Sequence, residues 1–86
     1  MITVRVRLFA AARDAAGRRD DLVEVASGTT LDELAALLDR RYGPTFAAVR
    51  ATARLWVNAD DPVTGGATVL GAGDEVAVLP PVSGGR

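Results

Sequence analysis

The residues of this chain best suited to chemistry are the last ones. Pro80-Pro81-Val82-Ser83 is followed by Gly84-Gly85-Arg86, so a stiff spacer leads to two residues without side chains. Proline fixes φ at two consecutive positions and favours an extended, polyproline-like path, which lowers the entropy lost when such a segment is captured. Glycine lets neighbouring walls close directly on the main chain. A segment built this way suits the delivery of a carboxylate into another protein's active site. The competing reading is a frayed glycine-rich terminus with no role.

The rest of the inventory argues against intrinsic catalysis. Cysteine and histidine are absent, which removes disulfides, thiolate and imidazole metal ligands, cysteine nucleophiles and histidine bases. A formal net charge of -1 leaves no basic field of the kind that non-specific nucleic-acid binding requires, so nucleic acid is not an expected partner. All ten basic residues are arginine; genomic composition bias accounts for this, and the chain offers no ε-amine for building isopeptide-linked chains of itself. No apolar run approaches the ~20 residues of a membrane span. Met1-Ile2-Thr3-Val4-Arg5 alternates like a strand, where a signal peptide would place a charged region before an apolar one. A cytoplasmic protein with no membrane partner is expected.

The elements that position the tail come from hydrophobic period. The chain has 86 residues, enough for one small domain that buries about 60–65% of its unfolded surface. A hydrophobic content of 49% and a mean hydropathy of +0.18 argue for a packed core. Ile2, Val4, Val6 and Leu8 alternate with polar residues as a half-buried first strand. Ala10 to Ala16 reads as a short helical turn stopping at Gly17, Arg18 to Asp21 as a solvated bend, and Leu22 to Val25 as a second strand. Thr30-Leu31-Asp32-Glu33 is a capping box, and Leu31, Leu34, Ala35, Leu38 and Tyr42 form one apolar stripe of a main helix that Gly43-Pro44 ends. A short second helix over 45–53 would use Phe46 and Val49. Arg54 to Val57 reads as a strand ending at a turn formed by Asn58, residues 67–70 as a brief extended segment, and Glu75 to Leu79 as the last strand. The spacing predicts an α+β fold: a mixed sheet of four to five strands, the last beside the first, with one main helix on one face. The domain spans 1–82 and the tail 83–86.

That order with a terminal Gly-Gly is the organisation of the β-grasp, or ubiquitin-like, fold, and the chain resembles the MoaD/ThiS family of sulfur carriers, within it the small subunits of molybdopterin synthase. The resemblance runs over essentially the whole chain. It rests on Arg7-Leu8-Phe9-Ala10, on Thr30-Leu31, on Val57-Asn58, and most specifically on the run from Gly73 through Leu79-Pro80-Pro81-Val82-Ser83-Gly84-Gly85. It implies that an E1-like adenylyltransferase, using ATP, adenylates the Gly85 carboxylate and that a sulfur donor converts it to a thiocarboxylate. The tail, with Gly84, Pro80 and Pro81, then enters the large subunit of molybdopterin synthase and donates sulfur to a pterin precursor. The resemblance further implies that Phe9, Leu79 and Val82 contact these partners and that the carrier is no enzyme and binds no cofactor or metal itself.

Several alternatives stay open on the residues. Trp56 belongs either to the face of Phe9 and Leu79 or, after a one-residue register change, to the core. Arg7 and Arg13 pair with partner carboxylates or are solvated surface. Arg86 follows the glycine that the family activates: a protease trims it, it is foreign to the natural chain, or it marks a member that carries no sulfur. A ubiquitin-like modifier, a carrier for thiamine thiazole, cysteine or another sulfur metabolite, and a plain β-grasp interaction module are the competing functions.

Overall fold

The computed structural model describes residues 1–81. Strand β1 (Ile2–Leu8) pairs antiparallel with β2 (Asp20–Val25) and parallel with β4 (Glu75–Leu79). Strand β4 in turn pairs antiparallel with β3 (Arg54–Val57), which gives the order β2-β1-β4-β3. Helices α1 (Ala10–Ala16), α2 (Leu31–Tyr42) and α3 (Pro44–Ala51) and a 3-10 turn at Gly65–Ala67 lie in the connections.

The last strand runs beside the first because these two strands carry the most deeply buried alternate residues. Val4, Val6, Leu8, Val76 and Val78 are at most 2% exposed. The parallel register sets Val6 beside Val76 and Leu8 beside Val78, so their side chains form continuous rows on one face. Val23 and Val25 of β2 widen that layer, and α2 covers it with Leu31, Leu34, Ala35 and Leu38. Each such valine or leucine side chain taken out of water contributes about 1.5–3 kcal/mol.

The N-terminus of α2 is fixed by the expected capping box. The Glu33 amide donates to Thr30 Oγ1 at 3.2 Å, and the Thr30 amide donates to Glu33 Oε1 at 2.9 Å. The chain returning toward β4 is bonded to the same helix end: the Leu31 amide donates to the Thr68 carbonyl at 2.8 Å, and the Leu70 amide to the Thr29 carbonyl at 2.9 Å. Gly66 rests so closely against the Asp32 carboxylate that a Cβ would overlap it. At the other end Gly43, with φ 97°, lets α2 stop and α3 begin at Pro44.

Two expectations change, the brief strand over residues 67–70 and the length of the bend before β2. The sheet has four strands: residues 67–70 contribute a single bridge from Val69 to Thr30 after the 3-10 turn, since Thr68 and Leu70 spend their bonds on the end of α2. The helices come out as read: α2 is the main one, α1 covers the helical turn at Ala10–Ala16, and α3 is a full element over Pro44–Ala51 because Phe46, wholly buried, and Val49 anchor it to the core. The bend read over Arg18 to Asp21 is shorter, because β2 already starts at Asp20, paired with Arg7.

Asp21 is accordingly a structural node. Its Oδ2 accepts from the Tyr42 hydroxyl at 2.7 Å and from Arg41 Nε at 3.0 Å, and Arg18 Nη1 stands 3.1 Å away. The contacts join the start of β2 to the last turn of α2. Tyr42 also packs edge-on against Phe46, centroids 5.0 Å apart. A second tie, from the Arg50 guanidinium to both oxygens of Asp39, holds α3 to α2.

Burial alone raises the Asp21 carboxyl, but the Tyr42 hydrogen bond and the charges of Arg41 and Arg18 outweigh it and hold the group below its ordinary value. Burial and the bond to Asp21 push Tyr42 up to about 12 from 10.0. The depressed carboxylate stabilises the fold above its unfolded value and loses that contribution as pH falls through the folded one. The raised phenol stabilises below pH 10.0 and loses its contribution as pH climbs toward about 12. Tyr42→Phe keeps the ring contact and should cost about 1 kcal/mol at neutral pH. Denaturant titrations should show the alkaline loss of stability greatly reduced in this variant and the acid loss partly reduced, since only Arg41, Arg18 and the Leu22 backbone then hold the Asp21 carboxyl down.

Candidate functional site

Side chains that alternate with the core residues lie on the other face of the sheet. Leu55 and Val57 pack against the core, which sends Arg54 and Trp56 to this outer face. Arg7, Ala77 and Trp56 occupy one row across β1, β4 and β3, and Leu79 stands opposite Arg54. The register question for Trp56 is therefore settled: it belongs to the face of Phe9 and Leu79.

Phe9 extends the parallel pairing one residue past β1, its amide donating to the Val78 carbonyl at 3.3 Å. Phe9 is itself extended, at φ -121° and ψ 152°, and the chain turns into α1 through Ala10, at φ 49°. The Phe9 carbonyl accepts from the amides of Ala12 and Arg13, and buried Ala12 seats α1 on the core. Phe9 is held 38% exposed beside half-buried Leu79. The Arg7 guanidinium lies over the Phe9 ring, 5.6 Å from its centroid, and reaches Glu75 at 3.7 Å. Arg13 stays on the surface, 3.8 Å from Asp14.

The tail grows from the end of β4, a strand flanked on both sides by partners, so its root is fixed laterally by two ladders of hydrogen bonds. Pro80 is half-buried and Pro81 exposed. Val82, Gly84 and Gly85 lie outside the described residues, as does Arg86. Among the described residues no cluster of three potential metal ligands occurs, and no helix is long and apolar enough to cross a membrane.

The start of β4 is set by a residue whose sequence signal was only that of a turn. Asn58 and Ala59 both take positive φ, 52° and 69°, and turn the chain out of β3. The Asn58 amide then donates to the Glu75 carbonyl at 2.8 Å while its Oδ1 accepts from the Glu75 amide at 3.0 Å. Its Nδ2 donates to Asp74 Oδ1 at 3.0 Å, and Asp74 Oδ2 accepts from the Gly71 amide at 2.7 Å. Asn58 thus extends the β3–β4 ladder with its side chain. The sequence left Trp56 with two possible faces, and the packing of Leu55 and Val57 against the core places it outward.

This arrangement recurs in known proteins. A model of the ThiS family matches residues 6–85. The chain is 31% identical over 85 residues to the molybdopterin synthase sulfur carrier subunit of Caenorhabditis briggsae, covering 99% of this chain and 100% of that one. It is also 31% identical over 84 residues to the subunit of the same name from Arabidopsis thaliana, covering 98% and 84%. The solution structure of small archaeal modifier protein 1 from Methanosarcina acetivorans superposes with a TM-score of 0.82 at 29% identity, over 99% of this chain and 98% of that one. A four-stranded sheet in this order with its C-terminus leaving a central strand, and a family match over nearly every residue, establish that the chain has the ubiquitin-like β-grasp fold and belongs to the MoaD/ThiS family of sulfur-carrier proteins.

Proposed function

We propose that the chain is the sulfur-carrying small subunit of a molybdopterin synthase and that its Gly85 carboxylate is the group that carries the sulfur. The observation that carries this reading is the closing run from Gly73 to Gly85, set on a strand that the fold fixes from both sides. The names of the two relatives at 31% identity support the pathway. The chain acts as a carrier and not as an enzyme: it supplies a carboxylate and a docking face, and its partners supply the catalytic groups.

An E1-like activating enzyme would join the Gly85 carboxylate to the α-phosphorus of ATP, with pyrophosphate leaving. Sulfur delivered at the sulfide level would add to the acyl carbon and expel AMP, leaving the thiocarboxylate. In the large synthase subunit the thiocarboxylate sulfur would form a bond to a carbon of a pterin precursor as an oxygen substituent leaves that carbon, and water would then cleave the acyl–sulfur bond, leaving the sulfur on the pterin and the carboxylate on Gly85. ATP belongs to the activating enzyme. Phe9 and Leu79 would meet both partners, with Val82 guiding the tail beyond them. A second reading, ligation of Gly85 to lysines of other proteins, draws on the likeness to the Methanosarcina modifier protein. It shares the first step and replaces sulfur by an amine.

The chemistry places a condition on Arg86. Adenylation needs a free carboxylate on Gly85, placed within about half an ångström of a defined pose, and one further residue moves the carboxylate by up to ~3.5 Å. With a cognate activating enzyme, ATP and a sulfur donor, the chain ending at Gly85 should gain the mass difference of one oxygen replaced by sulfur, and the chain ending at Arg86 should not. Mass spectrometry reads both outcomes; a thiocarboxylate on Arg86 would overturn the mechanism. On the docking face, Phe9→Asp or Leu79→Asp should each weaken binding of the large subunit by roughly 2 kcal/mol, because a charge is buried there without a partner. Calorimetry measures this, and unchanged affinity in both variants would return these residues to ordinary surface.

A further inference from the structure

Trp56 is the single tryptophan of the chain, and its indole Nε1 is a buried donor with no hydrogen-bond partner among the described residues. A buried unpaired donor costs about 1–3 kcal/mol and calls for an explanation. Of the outer-face neighbours, Glu75, diagonal to Trp56 by register, has an acceptor, but its carboxylate lies 3.7 Å from Arg7 and makes no bond to the indole. In its row stand Ala77, which has no polar side-chain atom, and Arg7, which can only donate; Arg54, two residues back on the same face, can only donate as well. Both arginines are loosely paired and partly exposed, Arg7 with Glu75 at 3.7 Å and Arg54 with Asp61 at 3.8 Å. By register Trp56 is diagonal to Leu79, so it continues the patch that includes Phe9.

An aromatic ring with an unspent donor, set between two under-used cations, is complementary to an acidic side chain carried by a protein surface. We propose that Trp56 is an anchor for the partner that receives the tail: its ring packs against that partner, and its N–H, together with Arg7 and Arg54, binds a carboxylate of it. The proposal rests on the carrier reading and adds to it a residue that fixes the partner's orientation next to the tail root. The donor is buried in the free chain, so docking has to uncover it. The bond then formed replaces no hydrogen bond among the described residues, so it adds to affinity.

Because the tryptophan is unique, its indole N–H gives one separate signal in the amide-correlation spectrum of 15N-labelled chain. Adding the unlabelled large synthase subunit from the same genome should shift that signal and slow its exchange with solvent. Trp56→Phe keeps an aromatic ring and deletes the donor; it should bind roughly five- to tenfold more weakly, with thermal stability unchanged or higher, since an unpaired donor has been removed. The affinity lost in Trp56→Phe should shrink in high salt, where a carboxylate contact is screened. An indole signal that stays in place on binding overturns the proposal, as does Trp56→Phe binding like the parent chain while Phe9→Asp binds poorly; either result leaves the carrier reading standing. Failure of the parent chain itself to bind the large subunit removes both.

Discussion

Strands β1 and β4 lie side by side in the middle of the sheet, and everything near the tail takes its position from their parallel pairing. Val6 beside Val76 and Leu8 beside Val78 lock the register through rows of wholly buried side chains. A slip of one residue would turn every apolar side chain of a strand out of the core, so the register is strongly specified. The same register fixes the polar face: Phe9 comes beside Leu79, and Arg7 falls in line with Ala77 and Trp56. The core thereby decides the geometry of the surface from which the tail departs.

Parallel pairing of the first and last strands requires a long crossover, and the intervening chain is held by bonds at its turning points. The capped end of α2 accepts the returning segment through Thr68 and Leu70, in a space that Gly66 alone can leave open beside Asp32. Asn58 and Asp74 then align the first residue of β4. Left-handed backbone at Ala10, Asn58 and Ala59 is the local cost of these turns, on the order of 1–3 kcal/mol for each residue that is not glycine. The turn at Ala10 directly follows Phe9, and that at Asn58 and Ala59 directly follows β3, so strain gathers where the chain leaves the outer face.

In the proposed function, that face and the tail would divide the work of a carrier. A carboxylate on glycine has no intrinsic reactivity to speak of, and the chain has neither thiol nor imidazole to activate it. In that proposed function, what it would offer a partner is position: a stiff proline spacer rooted in a strand held from both sides, next to a patch of Phe9, Leu79 and Trp56 with arginines around it. Such a design concentrates the sequence's demands on shape and leaves catalysis to the proteins it visits.

Much of this was legible in the sequence. Alternation in residues 2–8 and 75–79, the capping box at Thr30 and the stripe from Leu31 to Tyr42 fix the strands, the main helix and their buried faces, since period alone decides which side chains can share a core. The closing run, which a single chain displays without any fold, carried the family. Tertiary structure decided the rest, because the deciding contacts join residues far apart in the chain. Asp21 looked like part of a solvated bend until Tyr42 and Arg41, on α2, came to meet it. Residues 67–70 had the composition of a strand, but the end of α2 captured their hydrogen bonds. Trp56 had two possible faces, and only the packing of Leu55 and Val57 against the core chose between them and left its N–H without a partner among the described residues. Local sequence determines what an element is and which side it hides; the pairing partner, the register and the fate of each remaining polar group depend on neighbours that only the folded chain brings together.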